Sequence, residues 1–321
     1  VKVYQDFEEV GKIPNAVLTI GTFDGVHLGH QKIIERLKEE ARKVNGETVL
    51  FTFFPHPRMV INPTNHGLKL IQTQAEKIEN LERLGLDHLI IFPFTKEFST
   101  LSADEFVKDY LVNKLHVKTI VVGYDHQFGK NREGSLKQLQ KLSETLPFKV
   151  IEIPAHEVDE INVSSTKIRQ AIEIGDIQTA NSYLNEPFEI SGKVVKGNQI
   201  GRTIGFPTAN IEIGDDLKII PTIGVYAVEV ILEDQRKLHG MMNIGIRPTV
   251  TDSKEVKIEV FIFDFSEAIY DQRIKVYLLQ RIRGEHRFQS VEVLRAQLQE
   301  DEKTVRTIFS NQPSITINFS K

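Results

Sequence analysis

AVLTIGTFDGVHLGHQ, Ala16 to Gln31, decides the fold of the first half of the chain. Its opening AVLTI is a short apolar run. Its middle, GTFDGVHLGH, holds three glycines, two histidines and an aspartate, and its end feeds the charged, helix-periodic HQKIIERLKEEARK. Read as strand, turn and helix, the stretch puts the glycine-rich turn at the carboxyl end of a buried strand, where open α/β sheets bind ligands. Outward from it the same alternation recurs, with TVLFTFF, HLIIFPF and TIVVGY each followed by charged stretches up to about residue 155. That pattern predicts an α/β domain with a doubly wound parallel sheet covered by helices. Two of its helix starts carry capping-box signatures, Thr73 with Glu76 and Ser102 with Glu105.

From Phe188 the texture changes. EISGKVV, GVYAVEVIL, VKIEVFIFDF and RIKVYLL are β-branched and aromatic, lie close together, and leave no room for crossover helices. An antiparallel β-barrel is expected, followed by one amphipathic helix over SVEVLRAQLQEDEKTVRTIF with Val291, Leu294 and Leu298 on its apolar face. The chain thus divides into two domains, 1–185 and 186–321.

Composition narrows the function. With 321 residues, 40% hydrophobic and 26% charged, the chain has an ordinary globular make-up. A net charge of −4 supplies no general field for a polyanion, so phosphate binding has to be local and nucleic acid is not an expected partner. The lack of cysteine excludes disulfides and thiolate metal sites. VKVYQDFEEV has no signal-peptide pattern, and no apolar run approaches the roughly 18 residues of a membrane span, so a cytoplasmic protein without a membrane partner is expected. The oligomeric state is left open.

In the turn, Gly21, Gly25 and Gly29 permit close backbone approach, and the free amides of the helix start favour an anion. His27 and His30, three apart, face the same way if both lie on the first helical turn. Two imidazoles aimed at one phosphate donate hydrogen bonds to charge that develops as a phosphoanhydride bond breaks. Zinc ligation and helix capping are the other readings of the pair. At the far end of the same half, Ser164, Ser165 and Thr166 of VSSTKIR precede a helical run and offer hydroxyls and amides to phosphate, with Lys167 and Arg169 adding charge; an ordinary cap and a solvated basic turn is the alternative.

In the second half, KGNQIGRTIGFPTANI (196–211) carries Gly197, Gly201 and Gly205, which let the backbone wrap phosphate. Thr208 and Asn210, two apart on an extended segment, offer neutral oxygens on one face; a surface β-turn with chance TxN spacing is the alternative. Strand alternation puts Glu259 on the face of Phe261 and Phe263, an odd place for a charge unless it works, points to solvent or pairs with an arginine.

HxGH with a late SST-type helix start resembles the nucleotidylyltransferase superfamily, in which the two strings grip a nucleotide triphosphate while an acceptor phosphate attacks its α-phosphorus. With FFPHPR (53–58) and GYDHQFGKNREG (123–134), the first half resembles the adenylyltransferase module of the bacterial bifunctional riboflavin kinase/FAD synthetase family. The string at 196–211 resembles that family's riboflavin kinase signature, and PTIGVYAV, NIGIRPTV and IRGEHRF add to it. In the first half the resemblance implies ATP binding by Gly21, Phe23, Gly25, His27, His30, Ser164, Ser165, Thr166, Lys167 and Arg169, with His27 and His30 catalytic. It implies nucleotide or flavin contacts by Asp24, Pro55, His56, Pro57, Asp125, Phe128 and Arg132; a rigid surface turn for PHPR and a core position for Phe128 are the alternatives. His126 departs from the aromatic residue expected in that loop.

In the barrel the resemblance implies ATP binding by Gly197, Gly201, Arg202, Gly205, Pro207, Thr208 and Asn210, with Thr208 and Asn210 holding ATP-bound Mg2+. Glu259 becomes the catalytic base, and Arg283 and Glu285 flavin contacts; Asp271 stands where the family has glycine. The implied small-molecule partners are riboflavin, FMN, FAD and ATP. The barrel phosphorylates riboflavin, and the first domain then transfers AMP to FMN. The first step activates a hydroxyl and benefits from a base; in the second the attacking FMN phosphate is already anionic. Two other readings remain at this stage, an adenylyltransferase for a pantetheine or nicotinamide mononucleotide derivative, and an FAD synthetase whose barrel binds flavin without turnover.

Overall fold

Lys2–Tyr4 (β1), Val17–Ile20 (β2), Thr48–Phe54 (β3), His88–Pro93 (β4) and Thr119–Gly123 (β5) are strands; all but the first are the apolar runs of the sequence. The computed structural model of the chain describes residues 1–62, 67–124, 126–130, 133–154, 163–197, 200–248 and 254–311. Two compact units emerge, one comprising Val1–Lys69 and Gln74–Ser165, the other Leu70–Thr73 and the chain from Thr166 onward.

In the first unit, a short hairpin of Gln127–Phe128 (β6) and Gly134–Ser135 (β7) precedes the last sheet strand, Lys149–Ile153 (β8). The sheet order is β1-β4-β3-β2-β5-β8, with every neighbouring pair parallel. From β2 the chain steps outward through β3 and β4, whereas β5 and β8 lie on the other side, so the strand order reverses at β2. The carboxyl end of β2 is therefore the switch point at which such sheets bind ligands, and GTFDG leaves from it.

Helices Leu28–Lys43 (α1), Pro57–Ile61 (α2), Gln74–Arg83 (α3), Ala103–Glu105 (α4, continued as a π-helix to Lys114) and Leu136–Ser143 (α5) complete the unit. Alternate strand residues feed two cores. Leu18, Val49 and Ile120 pack with Phe106 and Leu139, while Val17, Leu50 and Val121 pack with Ile34, Leu37 and Leu81. Burial on both faces is what makes the strands read as unbroken apolar runs. The Ser102–Glu105 capping box forms: Ser102 Oγ accepts from the Glu105 amide at 3.2 Å, and the Glu105 carboxylate accepts from the Ser102 amide at 2.9 Å.

The second unit opens with helices Ser165–Ile174 (α6) and Ile177–Leu184 (α7). Its strands are Phe188–Val195 (β9), Thr208–Glu212 (β10), Gly224–Ile231 (β11), Lys237–Pro248 (β12), Lys254–Ile262 (β13) and Arg273–Arg283 (β14). They close into a barrel of order β10-β13-β12-β11-β14-β9 with antiparallel neighbours. Between β9 and β10, Ile200–Thr203 (α8) makes one helical turn, and Val291–Asn311 (α9) ends the unit.

The apolar face of α9 differs from the sequence expectation at one position. Leu294 and Leu298 are half-buried and the stripe continues through Asp301, Val305 and Ile308, but Val291 is 54% exposed. It is the first residue of the helix, about two turns before the stripe meets the barrel strands through Leu298 and Val305. Among the described residues no helix is long and apolar enough to cross a membrane.

Candidate active sites

The turn after β2 is tightly curled. Phe23, Gly25 and Val26 all have positive φ, at 47°, 89° and 39°, and for a β-branched valine that region is a genuine outlier. Phe23, Asp24, Val26 and His27 are buried. His27 occupies the N-cap position of α1, yet its ring makes no capping hydrogen bond, so the capping reading fails. The rings of Phe23, His30 and His27 form a parallel stack, with centroids 4.3 Å apart for Phe23–His30 and 3.7 Å for His27–His30. Among the described residues no group of three histidine, aspartate or glutamate side chains could hold a metal ion, which leaves the zinc reading without a third ligand there. Burial pushes His30 well below the usual imidazole range, and the charges of His27 and Lys77 push the same way. The free protein therefore presents a neutral His30.

Ser165, the first residue of α6, donates from Oγ to the Asp24 carbonyl at 2.9 Å, tying the SST string to the turn across 141 residues. Ser164 precedes the helix, while Thr166, Lys167 and Arg169 follow on its first turns; all but the half-buried Arg169 are exposed. In the PHP string, His56 caps α2, its Nδ1 accepting from the Arg58 amide at 3.2 Å, with Pro57 at the first helical position after Pro55. Phe128 is a core residue, packed against Phe106 and stacked on His126 at 5.7 Å. That is the core placement the sequence reading left open beside a flavin contact. Asp125 and Arg132 lie outside the described residues.

Three residues of the first site escaped the sequence reading. Lys77 on α3 is only 4% exposed, and its ammonium donates to the Thr22 carbonyl at 2.5 Å and to Thr52 Oγ1 at 2.9 Å. The Thr52 hydroxyl in turn donates to the Thr22 carbonyl at 3.2 Å. The signal was available: Glu76, Lys77 and Asn80 put polar groups on the buried stripe of a helix.

In the barrel, strand register assembles what the sequence had scattered. Asn210 on β10 lies opposite Glu259 on β13, and Glu259 lies opposite Asn243 on β12. Directly opposed residues share a face, so the three polar side chains form one row. Glu259 is half-buried on the face of Phe261 and Phe263, as alternation predicts, and has no hydrogen-bond or ion-pair partner among the described residues. The arginine-partner reading is thus not realised.

Gly201 is held to glycine by neighbouring backbone, and Gly197 faces the Asn210 side chain. A Cβ on Gly197 would sit 2.2 Å from the Asn210 amide nitrogen, and one on Gly201 would sit 2.2 Å from the Phe206 carbonyl. Gly205, with φ 87°, follows α8. Arg202, Pro207 and Thr208 line one pocket of about 80 Å³ with Val260, Phe265 and Tyr270. Glu285 is exposed near Gly245 and Asn243; a Cβ on Gly245 would lie 2.7 Å from its Oε1. Asp271 has φ 66°, in the left-handed region that glycine favours, and its carboxylate pairs with Lys193 at 2.8 Å.

Arg283, expected at the flavin side, takes part in an ion pair. Its Nε and Nη2 donate to the two carboxylate oxygens of Asp301 on α9 at 2.9 and 2.7 Å. Asp301 is 2% exposed. Arg283→Ala would leave that buried carboxylate, among the described residues, with Gln297 alone as side-chain donor and is expected to destabilise the barrel by about 3 kcal/mol. Urea unfolding followed by tyrosine fluorescence, in a chain without tryptophan, checks this.

A parallel-sheet switch point with a tightly curled turn, followed by a barrel with its own polar row and pocket, gives the chain two candidate sites, and the comparisons define it as a transferase with two activities. The FAD synthetase family model matches residues 11–167, and the riboflavin kinase model matches 184–309. The bifunctional riboflavin kinase/FMN adenylyltransferase of Listeria monocytogenes is 39% identical over 92% of this chain and 93% of its own. That of Escherichia coli K12 is 38% identical over 96% and 98%. A crystal structure described as a macrolide-efflux protein from Streptococcus pneumoniae superposes with a TM-score of 0.85 at 35% identity, covering 95% of this chain and 98% of that one. The chain belongs to the bifunctional riboflavin kinase/FMN adenylyltransferase family. It is an enzyme with both activities, acting on riboflavin, FMN and ATP to give FMN and then FAD.

Proposed function

We propose that residues 186–321 phosphorylate the 5′-hydroxyl of riboflavin and residues 1–185 transfer AMP to the FMN phosphate. The matched segments, 11–167 and 184–309, support that division. The observation that carries the kinase assignment is the register that sets Glu259 between Asn210 and Asn243, on the same sheet as Thr208 at the edge of the pocket. Glu259 takes the hydroxyl proton as the oxygen attacks the γ-phosphorus of ATP, and ADP leaves. Thr208 and Asn210 would hold Mg2+ bound to ATP. A hydroxyl, an amide oxygen and a nearby carboxylate are the hard oxygen donors that ion takes, and the missing side chain at Gly197 leaves room beside Asn210. When bound, the ion would neutralise phosphate charge. Gly197, Gly201, Arg202, Gly205 and Pro207 shape the nucleotide pocket, and Glu285 borders the flavin side.

In the first domain the FMN phosphate attacks the α-phosphorus of a second ATP and pyrophosphate leaves. His27 and His30 donate hydrogen bonds to the charge that develops on the departing oxygens. Gly21, Phe23, Gly25, Ser164, Ser165, Thr166, Lys167 and Arg169 bind ATP; Asp24, Pro55, His56, Pro57, Asp125 and Arg132 complete the nucleotide and flavin side. We assign both steps to the cytoplasm, where ATP is made. The test is a chromatographic time course with riboflavin, ATP and Mg2+, under aerobic and reducing conditions. FMN should appear first and FAD follow; FAD arising only from supplied FMN would mean a barrel that binds flavin without turning it over.

A further inference from the structure

We propose that Lys77 is a positioning residue for AMP transfer, its ammonium locking the Thr22 carbonyl to Thr52 so that the turn carrying Asp24, His27 and His30 keeps its curl. This rests on the adenylyl-transfer reading of the first domain. The Thr22 carbonyl accepts from both Lys77 Nζ and Thr52 Oγ1, and Lys77 also donates to that same Thr52 oxygen, so one backbone atom is held by two elements, α3 and β3. The peptide being held adjoins Phe23, the first of the positive-φ residues, and such strain persists only where neighbours over-determine it.

Stability alone does not call for a lysine here. Burial draws the ammonium down to about 8, with the Asp24 charge opposing the shift, and an apolar side chain of similar volume commonly serves a buried site as well or better. What an apolar residue cannot supply is a donor to the turn and a positive charge near His30. The charged groups acting on His30 are His27 beside it and Lys77 from α3, while Phe23 stacks on its other face. His30 Nδ1 is buried and makes no hydrogen bond among the described residues, so its proton affinity is open to that charge.

The test uses the full-length enzyme, with riboflavin phosphorylation by the same chain as an internal control for folding. Lys77→Met should lower kcat for FAD formation from FMN roughly 10- to 100-fold, the scale of a small misplacement at a reacting centre, and leave FMN formation unchanged. The His30 ring titration, followed by NMR, should move upward, because a positive neighbour has been removed. Thr52→Val, which keeps the ammonium but removes its second anchor, should lower kcat in the same direction while leaving the His30 titration in place. An unchanged FAD rate or an unmoved His30 titration in Lys77→Met overturns the proposal. If Lys77→Met loses the kinase activity as well, an unchanged FAD rate in Thr52→Val overturns it. Wild-type protein run in parallel must convert FMN to FAD; failure there removes the adenylyl-transfer reading itself, and Lys77 with it.

Discussion

Glu259→Ala is expected to stop FMN formation from riboflavin and to leave FAD formation from supplied FMN at its wild-type rate. A hydroxyl is a poor nucleophile until its proton is being removed, and a positioned base contributes about 10²- to 10⁴-fold to such a step. The carboxylate suits that task by what surrounds it. It is half-buried, shares a face with Phe261 and Phe263, and has neutral Asn210 and Asn243 on either side. No arginine or lysine among the described residues pairs with it, so its lone pairs are open to a substrate proton. The adenylyl transfer has no use for it, because an FMN phosphate attacks without losing a proton. Initial rates for the two half-reactions, measured separately on one preparation, check both parts. A fall in both with the fold intact would contradict separate sites.

The first domain was legible in outline because its strands are buried on both faces. Under that constraint AVLTI, TVLFTFF, HLIIFPF and TIVVGY have to be nearly all apolar, and a run of that kind stands out in a sequence. Lys2–Tyr4, at the sheet edge, is exposed enough to read as ordinary surface chain. In the barrel, Lys237–Pro248 was harder to see as one strand, since Gly240 and Gly245 break its β-branched texture. Those glycines admit a neighbouring backbone and a neighbouring side chain: a Cβ on Gly240 would lie 2.4 Å from the Phe261 carbonyl, and one on Gly245 would meet Glu285.

The site residues divide along the same line. His27, His30 and Glu259 stood out as candidates because histidines at helical spacing and a carboxylate on an apolar face are locally odd, and the family resemblance gave Glu259 its role as base. Asn243 was passed over because its place beside Glu259 depends on pairing between strands, which one sequence does not encode locally. The pairing of Arg283 with Asp301 was out of reach for the same reason: Asp301 lies on the helix that follows the barrel, and only the fold brings the two together. Val291 has the spacing of the α9 stripe, but spacing cannot say where the helix meets its partner surface.

His30→Ala should give the reverse of Glu259→Ala, with FAD formation from FMN lost and riboflavin phosphorylation kept. Removing one preorganised donor to a developing oxyanion costs about 10²- to 10³-fold in kcat. The stacked arrangement argues for the upper part of that range. With ring centroids 3.7 Å apart and Phe23 on the far side, the two imidazoles cannot turn independently, so deleting one also frees the other from its orientation. Electrostatics adds a second handle. His30 is neutral in the free protein because burial and its positive neighbours oppose its charge, and a polyphosphate arriving against the ring favours the protonated form instead. Nucleotide binding to wild type should therefore take up protons, most strongly at a pH between the His30 values of the free and bound states. Calorimetric titrations with ATP in buffers of different ionisation enthalpy read that uptake directly. In His30→Ala it should diminish together with the rate, whereas loss of rate with uptake intact would place the proton on another group.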